Sequence, residues 1–209
     1  SGPDTLIGNS SANVLNGGAG ADLMKGGANN DTYVVDNIGD VVDESVAALG
    51  AGTDLIKSSV SIKLGDTVHV KGVVENLILL GTAPISGIGN GSANAIVGNA
   101  AANTLAGGSG ADRLTGGAGP DTLIGGTGND RFVFAAGFGK DVITDFAAGL
   151  AIGDVISIAK TVLANFAAVL THSSLVGGHV VIKADASDQI TLNTVTHVAD
   201  LNANDFLFT

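Results

Sequence analysis

Carboxylates recur at a fixed interval in two stretches of this chain. Asp112, Asp121 and Asp130 stand nine residues apart, and the same interval links Asp4, Asn13, Asp22 and Asp31 near the N-terminus. Three perfect tandem units, Gly107 to Thr115, Gly116 to Ile124 and Gly125 to Val133, each place the acid behind a glycine turn and a large apolar residue two positions after it. Leu114, Leu123 and Phe132 fill that apolar position, and Leu6, Leu15, Met24 and Tyr33 fill it in the first stretch. Two weaker units keep the phase with Ile96 and Leu105, but carry Asn94 and Asn103 in place of the acid. Asp outnumbers Glu nine to one, which suits short, local ligation rather than a long flexible reach. A single Gly-Asp turn is equally compatible with a hairpin. A flexible glycine linker is not, because linkers do not hold Leu or Phe at a fixed phase.

The unit G-G-x-G-x-D-x-U-x resembles the calcium-binding nonapeptide of the RTX (repeats-in-toxin, hemolysin-type) family. The resemblance implies an all-β fold: a parallel β-roll, or β-solenoid, with Ca²⁺ held between Gly-Asp turns. Six turn residues and three strand residues make half a coil, so two units complete a turn of about 18 residues and unit n stacks on unit n+2. Asp4 is then expected beside Asp22, Asp112 beside Asp130, Asp121 beside Asn103, and Asp31 beside Asn13. Neighbouring coils lie about 4.8 Å apart, where like charges repel by about 1 kcal/mol in water and several times more at low dielectric. A cation between the coils reverses that sign, and hard carboxylate and carbonyl oxygens suit Ca²⁺ better than Mg²⁺, Zn²⁺ or copper.

By this resemblance the metal ligands are Asp4, Asp22, Asp31, Asp112, Asp121 and Asp130, with Asn13 and Asn103 as weaker oxygen donors. The turn glycines of the same sites are Gly17, Gly18, Gly20, Gly107, Gly108, Gly110, Gly116, Gly117, Gly119, Gly125, Gly126 and Gly128. The Asn positions have a second reading, in which side-chain hydrogen bonds alone hold those coils. Asp141-Val-Ile-Thr-Asp145-Phe followed by Gly153-Asp154-Val-Ile is similar to the segment after the roll in serralysin-type proteases, which adds Asp141 and Asp154 as Ca²⁺ ligands. Asp145 reads instead as a residue that caps or turns the chain.

The elements that position these groups divide the chain into four parts. Residues 1–34 are a first repeat block and residues 89–134 a second. Residues 35–88 read as longer, mostly calcium-free coils joining them, with β-rich runs around Tyr33–Asp36, Asp54–Ile62 and Val73–Leu80. Their acids Asp36, Asp40, Asp43 and Glu44 read as a solvated loop. Residues 135–209 have fewer glycines and read as a β-rich cap with one short helix over Thr161–His172, where Val162, Leu163, Phe166, Val169 and Leu170 follow helical spacing.

Composition excludes several functions. The chain has 209 residues, 45% of them hydrophobic, which argues against simple disorder, and its 32 glycines demand stabilisation beyond a core of small contacts. A net charge of −11 with scattered basic residues makes nucleic acid an unexpected partner. Absence of Cys excludes disulfides and thiolate metal sites. No apolar run reaches membrane-spanning length. The chain contains no H-E-x-x-H, no G-x-S-x-G and no phosphate-loop signature, so no enzymatic activity is expected of it.

The chain begins at Ser1 rather than Met. It is therefore expected to be the C-terminal module of a larger bacterial protein, secreted to the extracellular space or cell surface. The ending Asn204-Asp205-Phe206-Leu207-Phe208-Thr209 resembles the uncleaved signal that type I secretion machinery reads in RTX proteins. Expected partners are an upstream domain of the same polypeptide and that machinery. Two other functions fit the same fold: a polysaccharide-binding module, like the repeat modules attached to alginate epimerases, and a self-assembling surface-layer or adhesin segment.

Overall fold

Three-residue strands separated by glycine turns cannot bury a core alone and must stack. The computed structural model, which describes residues 2–45, 52–149 and 153–209, shows how they do so. One wall is a nine-stranded sheet in which every neighbouring pair is parallel. In spatial order its strands are Val14–Asn16, Thr32–Val35, Leu55–Ser58, Asn76–Leu79, Ala95–Val97, Arg113–Thr115, Arg131–Phe134, Val155–Ile158 and Phe206–Phe208. Spatial order equals chain order, which is the signature of a solenoid.

Two shorter sheets form the opposite wall. Thr5–Ile7, Leu23–Lys25, Val41–Asp43 and Val70–Lys71 make the first; Ile62–Lys63, Ser86–Ile88, Thr104–Ser109, Thr122–Thr127, Lys140–Ile143 and Gln189–Leu192 make the parallel part of the second. The break between them falls inside one coil. Its Ile62–Lys63 pairs forward with Gly87 and Ile88, while its Val70–Lys71 pairs back with Val42 and Asp43. The described residues 35–45 and 52–88 thus lie within the solenoid, and the coil carrying both edge strands splits the second wall.

The core is a ladder. Leu15, Tyr33, Ile56, Leu77, Ile96, Leu114, Phe132, Ile156 and Phe206 are matched residue to residue along the nine-stranded sheet, and all are buried. Each rung belongs to one coil, and alternate residues point outward. Leu105, Leu123, Ile143 and Leu192 form the facing ladder. Leu114 is fully buried between Ile96 and Phe132. Leu114→Ala is expected to destabilise the roll by about 2–5 kcal/mol, read as a lower denaturation midpoint at unchanged slope.

The C-terminal part adds the antiparallel strands Ser173–Val176 and His179–Lys183 beside Gln189–Leu192. The helix is shorter than its apolar spacing predicts, running only from Phe166 to His172. A separate turn on the Ala159 carbonyl holds Leu163, and extended Asn165 then caps the helix by accepting the Ala168 N–H at 2.9 Å. Val169 is buried, whereas Leu170 is 40% exposed. No helix among the described residues is long and apolar enough to cross a membrane.

Candidate metal centre

Each repeat acid sits one residue before its strand, so the ladder register also stacks the acids. The Oδ1 of the acid accepts the backbone N–H of the residue at the same place in the preceding coil. Three rows result. Asp4, Asp22 and Asp40 form the first; Asn103, Asp121 and Asp141 form the third. The second links Asn13, Asp31, Asp54 and Glu75, and then Asn94, Asp112, Asp130 and Asp154. These bonds measure 2.7–3.0 Å. The expected neighbours, Asp4 with Asp22, Asp112 with Asp130, Asp121 with Asn103 and Asp31 with Asn13, all meet.

That bond uses one carboxylate oxygen and leaves the other. Oδ2 of Asp22, Asp31, Asp112, Asp121, Asp130 and Asp141 is buried with no hydrogen-bond partner among the described residues. None of these acids forms an ion pair among the described residues. Buried anionic oxygens are normally paired or bound to metal. Burial pushes Asp112 and Asp121 up to about 6, against opposing backbone hydrogen bonds. Asp141 rises to about 8, mainly through burial and then through the charges of Asp121 and Asp188.

The glycines divide into two roles. A Cβ on Gly17, Gly107, Gly116 or Gly125 would collide with Oδ2 of Asp22, Asp112, Asp121 or Asp130, so the first glycine of each turn leaves the space that the orphan oxygen enters. The second and third, such as Gly126 and Gly128 with φ of 98° and 138°, supply the left-handed backbone. A Cβ on either would also strike the carbonyl oxygen of Gly108 or Gly110 in the coil before. Unpaired carboxylate oxygens, adjacent backbone carbonyls and no nitrogen or sulfur donor make a set that fits a hard cation of the Ca²⁺ type.

The other predicted ligands differ. Asp4 ends its row with an exposed carboxylate and contributes only its N–H to Asp22. Asn103 accepts the Asn99 N–H and donates to the Ile85 carbonyl and the Asn99 side chain; Asn13 accepts the Asn9 N–H. Hydrogen bonds engage both amides, as the second reading of these positions requires. Asp154 has no orphan oxygen, because Oδ1 takes the Asp130 N–H and Oδ2 the Ala147 N–H. Asp145 caps the turn at Gly125 and Gly126 by accepting both N–H groups.

The solvated-loop reading of residues 36–44 is corrected for three of its four acids. Asp40, Asp43 and Glu44 are buried. Asp40 follows Asp22 by 18 residues, so the repeat phase already pointed to it. Asp54 and Glu75 join their row 23 and 21 residues after the acid before them, and those insertions hid them from a search at fixed period.

The RTX calcium-binding nonapeptide repeat matches residues 1–33, 88–123 and 106–143, with four copies. This chain carries RTX calcium-binding repeats. Both matched stretches contain acids with an orphan oxygen, and a calcium-binding repeat agrees with the oxygen donors that these turns of the parallel β-roll present. Among solved structures, the extracellular lipase LipA from Serratia marcescens aligns with all of this chain and 40% of its own, at 16% identity and a TM-score of 0.40. The chain thus spans well under half of that lipase. No curated protein matches the chain in sequence.

Proposed function

We propose that this RTX roll is a folding switch that Ca²⁺ closes after type I secretion, and that it stabilises or carries an upstream domain of a larger extracellular bacterial protein. The observation that carries the reading is the set of six buried aspartate oxygens without partners among the described residues. In a calcium-poor cytosol, rows of unpaired acids and a glycine-rich chain oppose folding, which suits export through a narrow channel. Extracellular modules bind Ca²⁺ with dissociation constants of about 10⁻⁴ to 10⁻³ M, so millimolar Ca²⁺ fills them. Binding free energy then becomes folding free energy.

Far-UV circular dichroism of the chelator-treated chain is expected to change from coil to β on adding Ca²⁺, with no such change in Mg²⁺. A full β spectrum in chelator would overturn the proposal.

A further inference from the structure

We propose that Asp31, Glu44 and Asp54 form an additional site for a hard divalent cation such as Ca²⁺ in the coil that joins the two repeat blocks, built around a glutamate where the repeats have glycine. The inference shares the calcium chemistry of the roll but predicts an ion outside the repeat pattern. One carboxylate oxygen from each of the three acids lies within 4.8 Å of the others, and all three residues are buried.

The ladder explains how they meet. Leu23 and Met24 pair with Val41 and Val42, and continuing that register places Glu44 where the preceding coil has Gly26. Thr32 pairs with Leu55, which places Asp54 where the preceding coil has Asp31. In a repeat coil the first glycine has no side chain and the acid's free oxygen fills the space; here a second carboxylate comes from that glycine position.

Unpartnered oxygens mark the cluster as a site rather than a charge patch. Among the described residues, Glu44 Oε1 and Asp31 Oδ2 are buried without hydrogen-bond partners, and so is the Tyr33 hydroxyl, a group outside the acid cluster. Asp31 Oδ2 and the Tyr33 hydroxyl both crowd the point where a Cβ on Gly26 would stand. No Lys, Arg or His among the described residues pairs with any of the three acids; the nearby Lys25 is engaged with Asp43 at 3.6 Å. Three carboxylates with a neutral hydroxyl close by offer only oxygen, which selects Ca²⁺ or a lanthanide over Zn²⁺ or copper.

Tyr33 also supplies the probe. It is the only Tyr in a chain without Trp, so Tb³⁺ emission excited through tyrosine reports ions beside Tyr33 and not those of the second repeat block. Wild-type protein titrated with Tb³⁺ is expected to show sensitised emission that Ca²⁺ displaces. Glu44→Gln and Asp54→Asn are each expected to weaken it by about tenfold or more, about 1.4 kcal/mol or more, while Ca²⁺ still drives the β transition in circular dichroism. Asp54→Asn keeps an oxygen to accept the Asp31 N–H, so it tests the charge without removing that inter-coil bond. Wild-type sensitised titrations in both variants would overturn the site, whether or not the roll needs Ca²⁺. A wild-type chain whose β spectrum ignores Ca²⁺ would instead overturn the folding switch and leave the terbium result to stand by itself.

Discussion

Replacing both Asp112 and Asp130 by Ala is expected to raise the Ca²⁺ concentration for half-folding by at least about tenfold, about 1.4 kcal/mol or more in binding free energy. Each of these acids has two tasks. Oδ1 of Asp130 accepts the Asp112 N–H at 2.9 Å and Oδ1 of Asp112 accepts the Asn94 N–H at 2.7 Å, so the variant orphans two buried backbone donors. It also removes two free Oδ2 atoms beside Gly107 and Gly125. The corresponding Asn variants separate the tasks. An amide oxygen still accepts the inter-coil N–H but brings no charge, so Asp112→Asn with Asp130→Asn is expected to shift the Ca²⁺ midpoint while disturbing the loaded structure less. Far-UV circular dichroism against free Ca²⁺ checks both. A midpoint unchanged in the Ala variant would remove this pair from the ion sites.

The second large effect is one of pH, present without the ion and removed by it. Burial raises the folded-state values of Asp112 and Asp121 to about 6 and of Asp141 and Glu44 to about 8; Asp54, Asp130 and Asp154 are raised as well. Ordinary Asp and Glu values are about 4. Without Ca²⁺, therefore, the folded chain holds more protons than the unfolded chain between about pH 4 and pH 8, and stability falls as pH rises through that window. Calcium-stripped protein is expected to show more β-structure near pH 5 than near pH 8. With saturating Ca²⁺ the ion displaces those protons, and above about pH 5 the folded and unfolded chains both carry ionised carboxylates, so the fall in stability with pH is expected to disappear. Dichroism titrations at several pH values measure both slopes. A stripped protein that gains structure as pH rises would contradict the burial of these acids.

The same contrast explains what each row does at its ends. Asp40 closes the first row with both oxygens on backbone N–H groups, and Asp154 does so in the second. Asp188 accepts the Gly137 and Gly139 N–H groups at the glycine turn before Lys140–Ile143. Most acids within the rows keep one oxygen without a partner among the described residues, whereas those acids satisfy both oxygens through the main chain. Neutral donors can therefore close a coil where no ion bridges to the next one.

How much of this was legible beforehand follows from which interactions are local. The nine-residue period, the inward apolar residue and the glycine turn are local properties of each unit, so the sequence by itself determined the parallel roll, the stacking of unit n on unit n+2 and the acids that face one another. It also marked Asp40 by phase, although the neighbouring charges Asp36 and Asp43 disguised that residue as part of a loop. What local pattern cannot carry is register across an insertion. Asp54 and Glu75 enter the second row through coils of unequal length, and Glu44 meets Asp31 only because strand pairing places it where Gly26 stands one coil earlier. The ladder of backbone hydrogen bonds enforces one pairing partner per residue and pushes surplus residues out into turns. That rule acts between coils, so only the tertiary structure decided which acids beyond the repeats line up, which oxygens are left without partners, and which amides close a row by hydrogen bonds alone.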